Sequence, residues 1–263
     1  MLTAIRRGLR MIPLDTLQQF VETAPLILIG SIVGLGFMAI YLGYAGLALV
    51  LTRRTLPALG IGALIETRPL EKNQIRSEIL RSFRSITIFA LYSVGAVIAV
   101  RAGFIRLNWL PGFGMVLLNL AILIVWNEIH FYASHRLLHT DWLYKNVHEV
   151  HHRSITPTPF STYSFHWGEA LMVSSVMFLI MPVWQLDIIA IIVFPMISLV
   201  ANSIGHMNYA IFPAKNTDAI LAACQRHTAH HTRWKGNYGF YVPWLDQFFG
   251  TRIELRQRKT PVD

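Results

Sequence analysis

One cysteine, Cys224, is all that the 263 residues contain. A single thiol excludes a disulfide framework, a cysteine-ligated zinc site and an iron–sulfur cluster carried by this chain alone. Charge is also scarce: Asp, Glu, Lys and Arg make up 14% of the residues, against about 25% in a typical soluble domain. Acids are the scarcer sign, 14 against 23 basic residues. No C-x-x-C-H haem attachment and no G-x-G-x-x-G following a strand is present, so electrons for any redox chemistry must come from outside. Residues Met1 to Phe20 lack the apolar core of about 7–15 residues that a cleavable signal peptide needs. With Arg6, Arg7 and Arg10 they read as an amphipathic, basic lead-in at a membrane surface (residues 1–22).

What fills the chain instead is apolar. Hydrophobic residues reach 54% and the mean hydropathy is +0.45. Thr23 to Leu51 carries no charge and exceeds the roughly 20 residues of a bilayer span. Ser85 to Val100 and Pro111 to Trp126 are further apolar runs. Ala170 to Ala201 is broken by Pro182, Gln185 and Asp187, which predicts a hairpin of two short spans over about 170–203. Four or five crossings result. Of the 23 basic residues, seven lie between Arg53 and Arg84, three between His135 and His166, and eight from His206 onward, whereas only Arg101 and Arg106 separate the second and third runs. The positive-inside rule puts the richer segments in the cytoplasm. This distribution, rather than the net charge of +9, argues for a membrane and against nucleic acid as the partner. Residues 23–126 form the membrane helices and a basic cytoplasmic loop.

Eleven histidines are present, and eight fall into three clusters: His135 and His139; His148, His151 and His152; His227, His230 and His231. The offsets of three and four place imidazoles on one face of a helix. The topology brings all three clusters to the same side of the membrane. Neutral nitrogen ligands suit Fe, Zn, Cu and Ni, and one zinc site takes three or four, so this many histidines imply two metals. His206 and His166 sit where the hairpin meets the cluster side and join the candidate ligands, because ionisable groups at a membrane edge are functional by default. Glu128, Tyr132, His135 and His139 share one helical stripe, which makes Glu128 and Tyr132 candidates for orienting a ligand imidazole. His130 lies on the opposite face and is left out. Arg153, Arg226, Arg233 and Lys235 flank the clusters and are expected to face lipid head groups or an acidic redox partner.

From Glu128 onward the chain resembles the sterol desaturase/fatty acid hydroxylase superfamily of membrane di-iron enzymes. The matching elements are E-x-x-x-Y-x-x-H-R-x-x-H (Glu128 to His139), H-x-x-H-H (His148 to His152), and H-x-x-H-H followed by N-Y-G (His227 to Gly239). Lys72 to Ile79 (KNQIRSEI), Pro157 to Phe160 (PTPF) and Phe165 to Glu169 (FHWGE) are similar to sterol C5-desaturases. The resemblance runs from about Thr67 to Thr251. It departs at Glu128, where the family usually has Asp, at Trp167, where Pro is usual, and two residues beyond His206, where a small residue is usual. The metal set stays intact, and the substrate stays open.

The resemblance implies an all-α architecture: a multi-pass membrane stem with a cytoplasmic helical cap that holds a histidine-rich dimetal site, residues 127–263 being the catalytic region. It implies two iron ions (zinc can substitute in the same imidazoles), O2 as co-substrate, and oxidation of an unactivated C–H bond of a lipid, either to an alcohol or to an alkene. A sterol-like lipid comes first; acyl chains, lipid head groups and carotenoids follow. Cytochrome b5 or ferredoxin, with its reductase, would supply electrons.

One rival comes from another class. His148-Glu149-Val150-His151-His152 also spells H-E-x-x-H, in which His148 and His152 bind zinc and Glu149 is the general base of a membrane metalloprotease. That reading leaves six of the clustered histidines unexplained.

Overall fold

The computed structural model describes residues 14–214 and 219–253. Arg6, Arg7 and Arg10 of the basic lead-in lie outside them. Helix α1 (Leu14–Thr23) is followed by α2 (Leu26–Val50), which runs through a π-turn (Leu51–Thr55) into the short α3 (Leu56–Ala58). A long loop leads to α4 (Gln74–Arg101), then α5 (Phe113–Leu138). Helix α6 (Asp141–Leu143), a π-turn (Tyr144–His148) and α7 (Glu149–His152) follow. A 3-10 turn (Pro159–Tyr163) precedes α8 (Trp167–Ile180) and α9 (Ile188–His206). Helices α10 (Ala223–Arg233) and α11 (Trp244–Phe248) complete the described chain. The only sheet among the described residues is a pair of two-residue strands, Ala63↔Ala210 and Leu64↔Tyr209, so the fold is all-α.

Helices α2 (with its extension to Ala58), α4, α5 and α9 are long and apolar enough to cross a membrane, and α8 is a shorter apolar helix. Their outer faces leave large side chains such as Ile27, Leu35, Leu91 and Val125 exposed. Apolar surface on that scale is tolerated where lipid, not water, covers it. The stretch expected to form a hairpin of two spans folds as α8 and α9 joined by a turn, of which α9 alone has the length of a span. Its turn is built on the polar break seen in the sequence: Asp187 caps α9 through the Ala190 N–H (2.7 Å) and accepts from Asn119 Nδ2 (2.6 Å), while Trp184 Nε1 donates to Asn119 Oδ1 (2.8 Å). Asp187 is fully buried and structural.

Two apolar clusters stack along the stem. The one near the histidines centres on Tyr41, Ile86, Tyr163 and Phe165, and the one near the hairpin turn on Leu123, Ile180 and Phe194. Helices α4 and α5 outlast their apolar runs. The first two turns of α4 and the last two of α5 carry polar side chains beyond the apolar part, and those turns frame the cap. At the other end, Arg101 ties α4 to α1 by donating to Val21 O (2.9 Å) and Ala24 O (2.5 Å). Helix α1 therefore docks at the end opposite the histidines.

Candidate metal centre

Nine imidazoles converge at the cap end of the stem, in two adjoining groups. His135, His139, His148, His152 and His230 form one; His151, His206, His227 and His231 form the other. His135 and His139 come from the last turn and C-cap of α5, His148 to His152 from the π-turn and α7, His206 from the last residue of α9, and the remaining three from α10. His139 and His227 are half-buried and the other seven are buried. The two H-x-x-H-H boxes are used in opposite senses. In the first box the i,i+4 pair, His148 and His152, joins the five-histidine group and His151 joins the other. In the second, the pair His227 and His231 joins the four-histidine group and His230 crosses over. Each box thus gives two imidazoles to one group and one to its neighbour. The rings of His152 and His231, one from each group, lie 4.8 Å apart.

The donor set fits a pair of metal ions. Nε2 atoms face one another: His230 with His139 (3.2 Å) and His152 (3.0 Å), His206 with His151 (3.3 Å) and His227 (2.9 Å), His227 with His231 (3.1 Å). Ligand nitrogens about 2.0–2.1 Å from a shared ion at tetrahedral to octahedral angles lie about 2.9–3.4 Å from each other, which is the spacing found. The far sides of the rings settle which nitrogen carries the proton. A carbonyl can only accept, so Nδ1 of His135 donates to Tyr238 O (3.0 Å), that of His230 to Gly236 O (2.7 Å) and that of His206 to Asn202 O (2.8 Å). Their Nε2 lone pairs are then bare and point inward, as a metal ligand requires. Burial, followed by the crowding of neighbouring imidazoles, pushes His148, His151, His152, His227, His230 and His231 well below the ordinary histidine range, and His139 is lowered for the same reasons. The cluster is neutral and ready for cations.

The loop behind α10 is gripped by two carboxylates. Glu128 accepts the Phe240 N–H (3.0 Å) and the Tyr241 N–H (2.7 Å). Asp246 accepts the Tyr238 and Gly239 N–H groups (both 2.8 Å) and the Thr251 hydroxyl (2.7 Å). Burial raises Asp246 above the usual carboxylate range, and the N–H groups oppose that shift. Gly236 turns at φ +93°, a region that favours glycine, and a Cβ there would collide with Thr251 O. The loop is held so that two of its carbonyls meet two of the clustered imidazoles.

A cavity of about 10 Å3, room for roughly one water molecule, borders both groups, and its apolar lining is Phe131, Leu138, Phe165 and Val173. Metals at the two groups would thus meet the apolar interior of the stem directly.

The sequence model of the fatty acid hydroxylase family matches residues 120–251, half of the chain and every one of these histidines. The chain belongs to that family. A Delta(7)-sterol 5(6)-desaturase of Aspergillus fumigatus is 30% identical over 204 residues, covering 73% of this chain and 56% of the relative. One from Gibberella zeae is 27% identical over 187 residues, covering 68% and 52%. Methylsterol monooxygenase 2-2 of Arabidopsis thaliana is 27% identical over 178 residues, covering 66% and 65%. The chain spans about half the length of the desaturases it matches. No solved structure matches it.

Within this hydroxylase-family centre the eight clustered histidines and His206 come together, and His166 does not. His166 is the N-cap of α8, its Nδ1 accepting from the Gly168 N–H (3.2 Å), so its place at the membrane edge serves a helix start. Tyr132 meets Thr251 Oγ1 (3.0 Å) and stacks on Phe249, touching no imidazole. Glu128 does not touch one either; it acts through the loop. His130 packs against α8, where Nε2 meets Ser175 Oγ (3.0 Å). Arg153, Arg233 and Lys235 are exposed, as expected, but Arg226 is buried. It donates to Ala219 O (2.6 Å) and Tyr241 O (2.9 Å), tying α10 to the gripped loop. Glu149 is exposed, away from the buried faces of His148 and His152, where a peptidase base would have to stand.

Several residues that build the site carry no ligand signature in the sequence. Glu78 is fully buried and accepts from Gln74 Nε2 (2.8 Å), Ser154 Oγ (2.7 Å) and Thr158 Oγ1 (2.5 Å). It pins the segment after the first H-x-x-H-H box to α4. The KNQIRSEI and PTPF segments were the available signal, and this is the contact they make. Asn202 and Asp246 gave none.

Proposed function

We propose that this chain is a membrane-bound, O2-dependent di-iron oxidoreductase that hydroxylates or desaturates an unactivated C–H bond of a lipid, a sterol-like one first. The observation that carries the reading is the division of nine imidazoles, most of them buried, into groups of five and four that share a wall with the apolar stem. Bound irons would supply the redox chemistry: reduction of O2 with two external electrons and removal of hydrogen from carbon. The chain's own residues do the rest. Carbonyls of Tyr238, Gly236 and Asn202 hold imidazole tautomers, and Phe131, Leu138, Phe165 and Val173 keep bulk water from the space beside the ions. A lipid of the surrounding bilayer would meet the exposed apolar faces of α5 and α8, so substrate would not have to leave the bilayer to reach the cavity.

The relatives' names motivate the substrate order, since two are sterol 5(6)-desaturases and one a methylsterol monooxygenase. The exposed basic residues Arg153, Arg233 and Lys235 beside the centre suit an acidic electron donor such as cytochrome b5 or a ferredoxin. The excess of Lys and Arg in the segments that reach the histidines argues for the cytoplasmic side. The test is lipid mass spectrometry of cells with and without the gene, with metal analysis of the purified protein. Loss of two hydrogens from one lipid marks desaturation; gain of one oxygen marks hydroxylation. An unchanged lipid profile with no bound metal rejects the proposal.

A further inference from the structure

One carboxylate at the centre is left unsatisfied by the fold. Glu169, in the first turn of α8, is 2% exposed and lines the small cavity. Its Oε1 lies 2.9 Å from His148 Nδ1, an oblique approach rather than a linear hydrogen bond, and its Oε2 has no hydrogen-bond partner. Glu78, Glu128 and Asp246 are each met by N–H or O–H donors; Glu169 is not. Among the described residues it is the only carboxylate within ion-pair range of a histidine. A lone buried carboxylate is costly to a fold unless a cation compensates it. Imidazoles bring no negative charge, so two divalent ions held by them leave a formal charge of about +4 in a dry site.

We propose that Glu169 is the charge-compensating positioning residue of the five-histidine group. With an ion at Nε2 it would take the His148 Nδ1–H (neither nitrogen of that ring has a hydrogen-bond partner), hold Nε2 on the ion and lend that one imidazole anionic character. His135 and His230 lean on neutral carbonyls, and in the four-histidine group only His206 does so. The two positions are therefore unequal, and the ion beside His148 is the more firmly held. This rests on the metal-centre reading above.

The test uses the full-length protein in detergent, loaded with Co2+ and challenged with EDTA, with retained metal and the visible Co2+ bands followed in time. Wild type is expected to retain two ions. E169Q is expected to shed one of them about 10–100-fold more readily and keep the other, while E149Q, an exposed acid on the same box, follows wild type. E169L carries the same test if the glutamine variant does not purify, since leucine needs no polar partner. Thermal stability of the metal-free variants separates the alternatives: unchanged or higher stability with faster release supports the role, whereas lower stability with wild-type release overturns it. Wild-type release from both variants also overturns it. If the unaltered protein holds one ion or none, the metal-centre reading itself fails.

Discussion

Glu128 accepts the backbone N–H of Tyr241 at 2.7 Å, across 113 residues of chain. The bond joins the helix that carries His135 to the loop whose Tyr238 and Gly236 carbonyls orient His135 and His230. Both imidazoles belong to the five-histidine group. E128A removes the acceptor of two part-buried N–H groups, at a cost of about 1 kcal/mol for each donor left unpaired, the low end of the range for a buried one. The expected outcome is a lower melting temperature together with metal affinity reduced about 10–100-fold. Differential scanning fluorimetry and metal analysis on one preparation check both; a variant that loses stability but keeps full metal affinity contradicts the link.

Gly239 tests the same loop sterically. A Cβ at that position would stand 2.8 Å from Val242 O, 2.9 Å from Asp246 Oδ2 and 3.1 Å from Glu128 Oε1. It would push apart both carboxylates that hold the loop. G239A is expected to lose metal from the five-histidine group, with G114A, which meets nothing within 4 Å, as the silent counterpart. Metal per chain after gel filtration is the measurement.

Much of this arrangement is legible in the sequence. The spans follow from uncharged apolar runs, and the boxes follow from helical offsets that hold wherever a helix forms. The division of each box between two groups does not follow, because it depends on how α7 and α10 approach one another, and no local period encodes that. His206 was visible only through its place at a span end. The same reasoning failed for His166, because a helix N-cap and a ligand at a membrane edge occupy the same kind of position. Asp246 and Arg226 act through partners brought near by tertiary packing, and the burial of Arg226 contradicts what an arginine beside a cation site suggests by charge alone.

His166 and His230 give the sharpest contrast between two histidines. H166A removes one cap acceptor, worth about 0.5–2 kcal/mol of helix stability, and is expected to leave metal content unchanged. H230A removes the imidazole whose Nε2 faces both His139 and His152. It is expected to lower the metal count by at least one ion per chain and to abolish lipid oxidation. Retention of the wild-type metal count by H230A would sink the five-histidine assignment.

Acid should undo the centre in a window set by the unfolded chain. His148, His151, His152, His227, His230 and His231 are held well below their ordinary range by burial and by one another. Free histidine titrates near pH ~6.5. Below that value the unfolded chain binds protons that the folded chain refuses, so more protons are bound in the unfolded state and stability falls as pH falls. Above roughly pH 7.5 both states are neutral and the contribution vanishes. Each histidine adds up to about 1.4 kcal/mol per pH unit once well below its free pKa, so six together make the loss steep. Metal binding needs the same neutral imidazoles, so ions should leave in the same window. The metal-stripped protein is therefore expected to show a flat melting temperature from about pH 8 to 7 and a steep decline toward about pH 5. With metal bound, the decline should start at lower pH, because ligands that bind only the folded state stabilise it. A melting temperature of the stripped protein that stays level down to pH ~5 would show that these imidazoles can take up protons while folded, which the buried, mutually facing arrangement forbids.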